Sequence, residues 1–179
     1  MRAGNWLKDG GRDLSSCTVG IIGAGHVGKE VAALLRPMGC QILVNDIIEQ
    51  ADYYRSQGLT EAGKDEIYAA ADVLTLHIPL TDLTQGLIDT GVLDRMKPDA
   101  YLINAARGGV VNQADLKRAL IENQIGGAAL DVFELEPCPD RDLLALPNLW
   151  ATPHIGGSSA QSVLAMGRSS IYHLSNFFK

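Results

Sequence analysis

The chain has 179 residues, 46% hydrophobic and 20% charged, which suits one globular domain that buries its core without disulfide staples. Its formal net charge of −6, with no basic arm or patch, argues against a nucleic-acid partner. No run of 18 apolar residues is present to span a membrane, and the three cysteines, Cys17, Cys40 and Cys138, lack C-x-x-C spacing. Scattered thiols of this kind fit a reduced, cytoplasmic protein. No histidine or cysteine pair has metal-ligand spacing, so no metal is expected.

Residues 1–17 are polar and glycine-broken, with Trp6 as their one large anchor, and they read as a lead-in or linker. From Thr18 the pattern changes. Thr18-Val-Gly-Ile-Ile is a β-branched strand that runs straight into Gly23-Ala-Gly25-His-Val-Gly28, and an apolar helical periodicity follows to Met38. In a G-x-G-x-x-G turn the first glycine permits the bend, the second lets a pyrophosphate approach the backbone, and the third lets helix and strand pack closely. The positive end of the helix then faces the phosphates. A second strand, Gln41 to Asn45, ends at Asp46, about 20 residues beyond the glycines, where a carboxylate can accept the ribose hydroxyls of an adenosine.

Further along, Ile48 to Gln57 reads as helix, Leu59-Thr60 as a stub of strand, and Lys64 to Ala71 as helix. Asp72-Val-Leu-Thr-Leu-His77-Ile is the fourth strand, stopped by Pro79. Residues 80–88 form a loop, Thr90 to Met96 a helix, and Ala100 to Asn104 the fifth strand. Asn112 caps a helix through Glu122, Ile125 to Asp131 is the sixth strand, and a proline-rich loop at Glu136-Pro-Cys-Pro139 leads to a seventh, Leu149 to Ala151. Ser158 to Phe178 is mostly helical. The alternation implies an α/β fold: a doubly wound, mostly parallel sheet of Rossmann type with helices on both faces. The dinucleotide-binding domain spans 18–157, and 158–179 is a C-terminal helix.

Ligands bind beyond the carboxyl ends of such strands, and that is where the remaining polar residues fall. Arg107 follows strand five in Asn104-Ala-Ala-Arg107-Gly108, and its planar fork suits a carboxylate; a surface residue is the other reading. Glu136 follows strand six and His154 strand seven. A histidine beside a carboxylate is the usual proton-transfer device near neutral pH, but spacing does not decide whether these two meet. His77 reads equally as a structural histidine or a ligand contact. His26 sits at a helix start and need not touch catalysis.

Several long motifs, in order, resemble the cofactor-binding domain of the D-isomer-specific 2-hydroxyacid dehydrogenases, the family of phosphoglycerate, D-lactate, glycerate and formate dehydrogenases. They are Thr18 to Gly28, Val44-Asn-Asp46, Asp72 to Thr81, Met96-Lys-Pro98, Asn104 to Gly108, Gly127 to Phe133, Glu136-Pro137 and Thr152 to Gly156. The resemblance implies that Arg107 binds the substrate carboxylate and that Glu136 and His154 are an acid–base pair. It implies an NAD site made by Gly23, Gly25, His26, Val27, Asp46, His77, Pro79, Thr84, Ala105, Arg107, Asp131, His154 and Gly156. Asp131 would face the nicotinamide amide. Asn45 and Ile47 stand where the family often has an aromatic and a proline, and no basic residue follows Asp46, which favours NAD over NADP. A homodimer through the cofactor domain is a further implication. So is a second, substrate-binding domain outside these residues, needed for turnover of a 2-hydroxy or 2-keto acid. A regulatory NAD sensor, like the family's corepressor relatives, is the alternative activity.

Overall fold

The computed structural model describes residues 11–178, so Trp6 lies outside the described residues. Seven strands form one sheet: β1 (Thr18–Ile22), β2 (Gln41–Asn45), β3 (Thr60–Glu61), β4 (Val73–Leu76), β5 (Tyr101–Asn104), β6 (Gly127–Leu130) and β7 (Leu149–Ala151). Their order is β3-β2-β1-β4-β5-β6-β7, and every pairing is parallel. The chain therefore winds outward from β1 in one direction, returns, and winds outward in the other. The switch falls between β1 and β4, where a doubly wound sheet opens a crevice at its carboxyl edge.

Both faces of the central strands are buried, which explains why they read as continuous apolar runs. Ile21 and Ile22 are adjacent in sequence yet belong to different cores. Ile22 joins the larger core with Leu74, Leu76 and Leu102, whereas Ile21 joins the smaller one with Ile42, Val44 and Tyr54. The larger core is closed by α3 (Lys64–Ala70), α4 (Thr90–Leu93), α5 (Gln113–Ile121) and α6 (Arg141–Leu144), and the smaller by α1 (His26–Leu35) and α2 (Ala51–Gln57). Tyr101 and Trp150 lie on the other side of β5 and β7 and stay exposed. The last helix, α7 (Ala160–Phe177), buries none of its residues against the domain.

Some boundaries differ from the expected ones, for local reasons. The helix expected from Ile48 starts at Ala51, because the Asp46 carboxylate takes the Ile48 N–H (2.9 Å) and holds a turn there. The helix expected to reach Met96 ends at Leu93 and runs on as tighter turns, since Pro98 disfavours helical geometry in the residue before it. The proline-rich stretch expected as loop contains the short helix α6, which Asp140 caps by accepting the Leu143 N–H. Residues 12–17 are more than a linker. Arg12 reaches the buried Asp72 carboxylate at 3.0 Å, and Cys17 is buried.

Asp72 also accepts the Thr18 N–H (2.7 Å) and a Lys97 ammonium hydrogen (2.9 Å). Burial pushes its pKa up, but the Thr18 amide, Lys97 and Arg12 together outweigh that and hold it below the usual carboxylate value. A depressed carboxylate contributes stability that is full above its unfolded value, near 4, and lost as pH falls through its lowered folded value. Urea unfolding at pH 7, 5 and 3 is therefore expected to show a loss of stability towards pH 3 that Asp72→Asn makes shallower. An unchanged pH slope in Asp72→Asn would remove Asp72 from this role.

Candidate functional site

The glycine turn is built at three positions with three different constraints. Gly23 has φ +98°, and a Cβ there would lie 2.5 Å from the His77 carbonyl oxygen. Its N–H donates to the Asn45 carbonyl (2.8 Å), so the bend is pinned between β2 and β4. A Cβ on Gly28 would lie 2.0 Å from the Gly23 oxygen, so only glycine lets α1 approach the turn. At Gly25 a Cβ would meet nothing within 4 Å, and the backbone is extended. Gly25 is thus not required by packing; it leaves the outer edge of the turn open.

Helices α4 to α7 each begin on a side-chain cap, whereas α1, like α2 and α3, begins with none, and its N-cap is Gly25. The first-turn amides of a helix have no intrahelical acceptor, and with the positive end of the dipole they favour an anion. His26 and Val27 are exposed at this opening. Asp46 stands beside it: Oδ2 accepts the Ala24 N–H at 2.6 Å and Oδ1 the Ile48 N–H at 2.9 Å. A carboxylate has about four acceptor sites, so two remain for ribose hydroxyls. The residues present therefore fit a dinucleotide with its pyrophosphate over Gly25.

On the other side of the switch point, His77 follows β4 and its Nε2 lies 3.1 Å from the Thr75 hydroxyl. Burial lowers its pKa, so it serves as a neutral group. The loop from Pro79 is closed by Thr84, whose hydroxyl donates to the Pro79 carbonyl (2.7 Å) and accepts the Thr81 N–H (2.8 Å).

Ala105 and Arg107 follow β5 in a turn closed by Asn104, a residue only 1% exposed. Asn104 Oδ1 accepts the Ala106 N–H (3.1 Å) and Nδ2 donates to the Arg107 carbonyl (3.0 Å). A Cβ on Gly108 would lie 2.0 Å from Phe133 backbone atoms, so the Arg107 turn sits directly against the loop that follows β6. The Arg107 guanidinium is exposed and donates one hydrogen bond to the Ala106 carbonyl (2.6 Å). Asn104 was not singled out for this role from sequence. Its signal was an Asx-turn pattern, an asparagine at a strand end whose side chain accepts from the residue two positions on.

Glu136 and His154, 18 positions apart, do meet. Glu136 Oε2 lies 2.7 Å from His154 Nδ1, and its Oε1 accepts the Phe133 N–H at 3.0 Å. The His154 hydrogen bond, then the Phe133 amide, hold the Glu136 pKa below the ordinary value. With Nδ1 occupied, Nε2 is the nitrogen left to exchange a proton. Asp131 accepts from the Thr152 hydroxyl (2.5 Å) and from the Ile155 and Gly156 amides (2.8 Å each). Beside the pair is a cavity of about 550 Å³ lined by Phe133, Glu136, Pro137, Arg141, Leu144 and His154, among others. Asp46, His77, Ala105, Arg107 and Asp131 follow strand ends at the carboxyl edge of the sheet, His26 and Val27 open α1, and Thr84 and Glu136 lie further out in the loops after β4 and β6.

Residues 1–156 match the family described as D-isomer specific 2-hydroxyacid dehydrogenase, NAD binding domain. D-3-phosphoglycerate dehydrogenase of Bacillus subtilis (strain 168) is 38% identical over 154 residues, covering 86% of this chain and 29% of that protein. The Archaeoglobus fulgidus D-3-phosphoglycerate dehydrogenase is 38% identical over 170 residues, 93% of this chain and 32% of its own length. Among solved structures, a D-lactate dehydrogenase from Sporolactobacillus sp. superposes with a TM-score of 0.85 at 39% identity, over 98% of this chain and 56% of that one. The Aquifex aeolicus D-lactate dehydrogenase complexed with NAD and lactic acid gives 0.88 at 29% identity, over 97% and 57%. The chain spans about a third of the length of these curated relatives. The match over residues 1–156 shows that the chain belongs to the D-isomer specific 2-hydroxyacid dehydrogenase family, as its NAD-binding domain.

Proposed function

We propose that this chain binds NAD(H) for an enzyme that exchanges hydride between the nicotinamide and a 2-hydroxy or 2-keto acid. The observation that carries the reading is the 2.7 Å contact of His154 with Glu136 on the same sheet edge as Arg107 and the Gly25 cradle. When bound, the cofactor supplies or receives the hydride. Arg107 holds the substrate carboxylate through its fork and draws charge from the carbonyl oxygen. In the reductive direction protonated His154 gives its Nε2 proton to that oxygen, and ionised Glu136 stabilises the imidazolium at Nδ1. Asp131 retains one acceptor site for the nicotinamide amide. Asp46, followed by Ile47 and Ile48, repels a 2′-phosphate and offers it no cation, so NAD is the cofactor rather than NADP.

The protein forms a homodimer through this domain; exposed Leu80 and Leu83, in the segment after β4, support it. Sedimentation at high concentration is expected to show the dimer, and monomer alone would count against it. Three free cysteines, and a fold without any helix long and apolar enough to cross a membrane among the described residues, suit the cytoplasm. The catalytic reading is tested by NADH oxidation against a panel of 2-keto acids. The assay compares the chain alone with a polypeptide carrying its flanking coding sequence. Arg107 and His154 are exposed in the domain, so the chain alone should be nearly silent and the longer form selective. Robust turnover by the chain alone would show the substrate site to be complete within it.

A further inference from the structure

Among the described residues His154 is one of two non-glycine residues with positive φ (+54°), a conformation unfavourable for a residue with a Cβ and one that needs support. The support comes from one side chain. Asp131 takes the Thr152 hydroxyl two residues before His154, and the Ile155 and Gly156 amides directly after it. Asp131 is itself anchored, following β6 with its N–H on the Asn104 carbonyl (3.0 Å), and Thr152 is tied to the Leu130 carbonyl (3.0 Å). A Cβ on Gly156 would come within 3.0 Å of Asp131 Oδ2, so glycine leaves the carboxylate room to bind.

The geometry points to Asp131 as a positioning residue: its carboxylate fastens the left-handed turn at His154, and so keeps Nδ1 on Glu136 and Nε2 turned to the substrate. The assignment rests on the reading of His154 and Glu136 as the acid–base pair. Asparagine cannot replace Asp131 here. It offers one acceptor oxygen where two are used, and its NH2 would face a hydroxyl or amide donor.

The test is made on the 179-residue chain and needs no turnover. Two-bond 1H–15N correlation in mildly alkaline buffer reads which nitrogen of neutral His154 holds the proton, and 13C titration follows the Glu136 carboxyl. In the unsubstituted chain the proton sits on Nδ1. In Asp131→Asn it moves predominantly to Nε2, and Glu136 rises towards the ordinary carboxylate value as its contact with His154 is lost. Loss of charge alone has the opposite sign, because the Asp131 charge raises the Glu136 pKa. Retention of the Nδ1 proton with Glu136 unchanged or lower would therefore overturn the positioning role. If Asp131→Asn does not fold, Gly156→Ala keeps the charge but crowds Oδ2. It should give a mixture of the two tautomers, and an unaltered Nδ1 form would overturn the role equally. An unsubstituted chain with the proton on Nε2 would instead overturn the acid–base pair itself, and Asp131 with it.

Discussion

Replacing His154 with alanine in the longer, substrate-competent polypeptide is expected to lower kcat for 2-keto acid reduction by about 10²–10⁴-fold, the range that a positioned acid–base group supplies. The loss falls on kcat because the proton is needed only as the carbonyl is reduced. Glu136→Gln preserves a hydrogen-bonding atom near Nδ1 but removes the charge that supports the imidazolium, so its effect is smaller. Arg107→Lys behaves differently. A lysine cannot form two parallel bonds to a carboxylate, so KM for the keto acid rises as well. Steady-state kinetics on the three variants separate these roles, and a His154→Ala enzyme with near-normal kcat would remove histidine from the chemistry.

Gly25→Val should weaken NADH binding at least about tenfold while leaving the fold intact. The prediction follows from the contrast among the three glycines. At Gly25 the backbone is extended and a Cβ meets open space, so a side chain there starts out clear of the folded core. It would occupy the space through which the pyrophosphate reaches the first-turn amides. At Gly23, with φ +98° and the His77 oxygen at 2.5 Å, even alanine should destabilise the domain itself. Calorimetric titration and thermal melts distinguish the two. Gly25→Val is expected to melt close to the unsubstituted chain and to lose at least about tenfold in affinity, roughly 1.4 kcal/mol or more. A variant that still binds NADH normally would show that the phosphates do not pass over Gly25.

Much of this was legible in the sequence because a doubly wound sheet ties position to function. The Thr18–Ile22 run could only be a strand buried on both faces, and the glycines and Asp46 then had to lie at the carboxyl edge. Arg107, Glu136 and His154 each directly follow a strand or its loop, so the topology places them on that same edge. The Glu136–His154 contact was not legible from spacing and came only with the family resemblance. It depends on a positive φ at His154 and on the carboxylate of Asp131, and neither leaves a periodic signal. For Asn104 the Asx-turn pattern marks a turn but does not identify the Arg107 carbonyl as its second partner. The short α6 hid among Pro137, Pro139 and Pro147, and only the Asp140 cap reveals it. Local capping and turn chemistry, not hydrophobic pattern, account for these differences.

The preference for NAD over NADP proposed for this domain rests on the Gly25 opening and Asp46. Calorimetric titration of the 179-residue chain with NADH and, separately, NADPH tests it most directly. Asp46 is committed on one side to Ala24 and Ile48, and the residues after it, Ile47 and Ile48, carry no positive charge. A ribose can therefore share its hydroxyls with the carboxylate, whereas a 2′-phosphate meets like charge. Stoichiometric binding of NADH, at least about tenfold tighter than NADPH, is the predicted result. Equal or reversed affinities, or no binding of either cofactor, would contradict it.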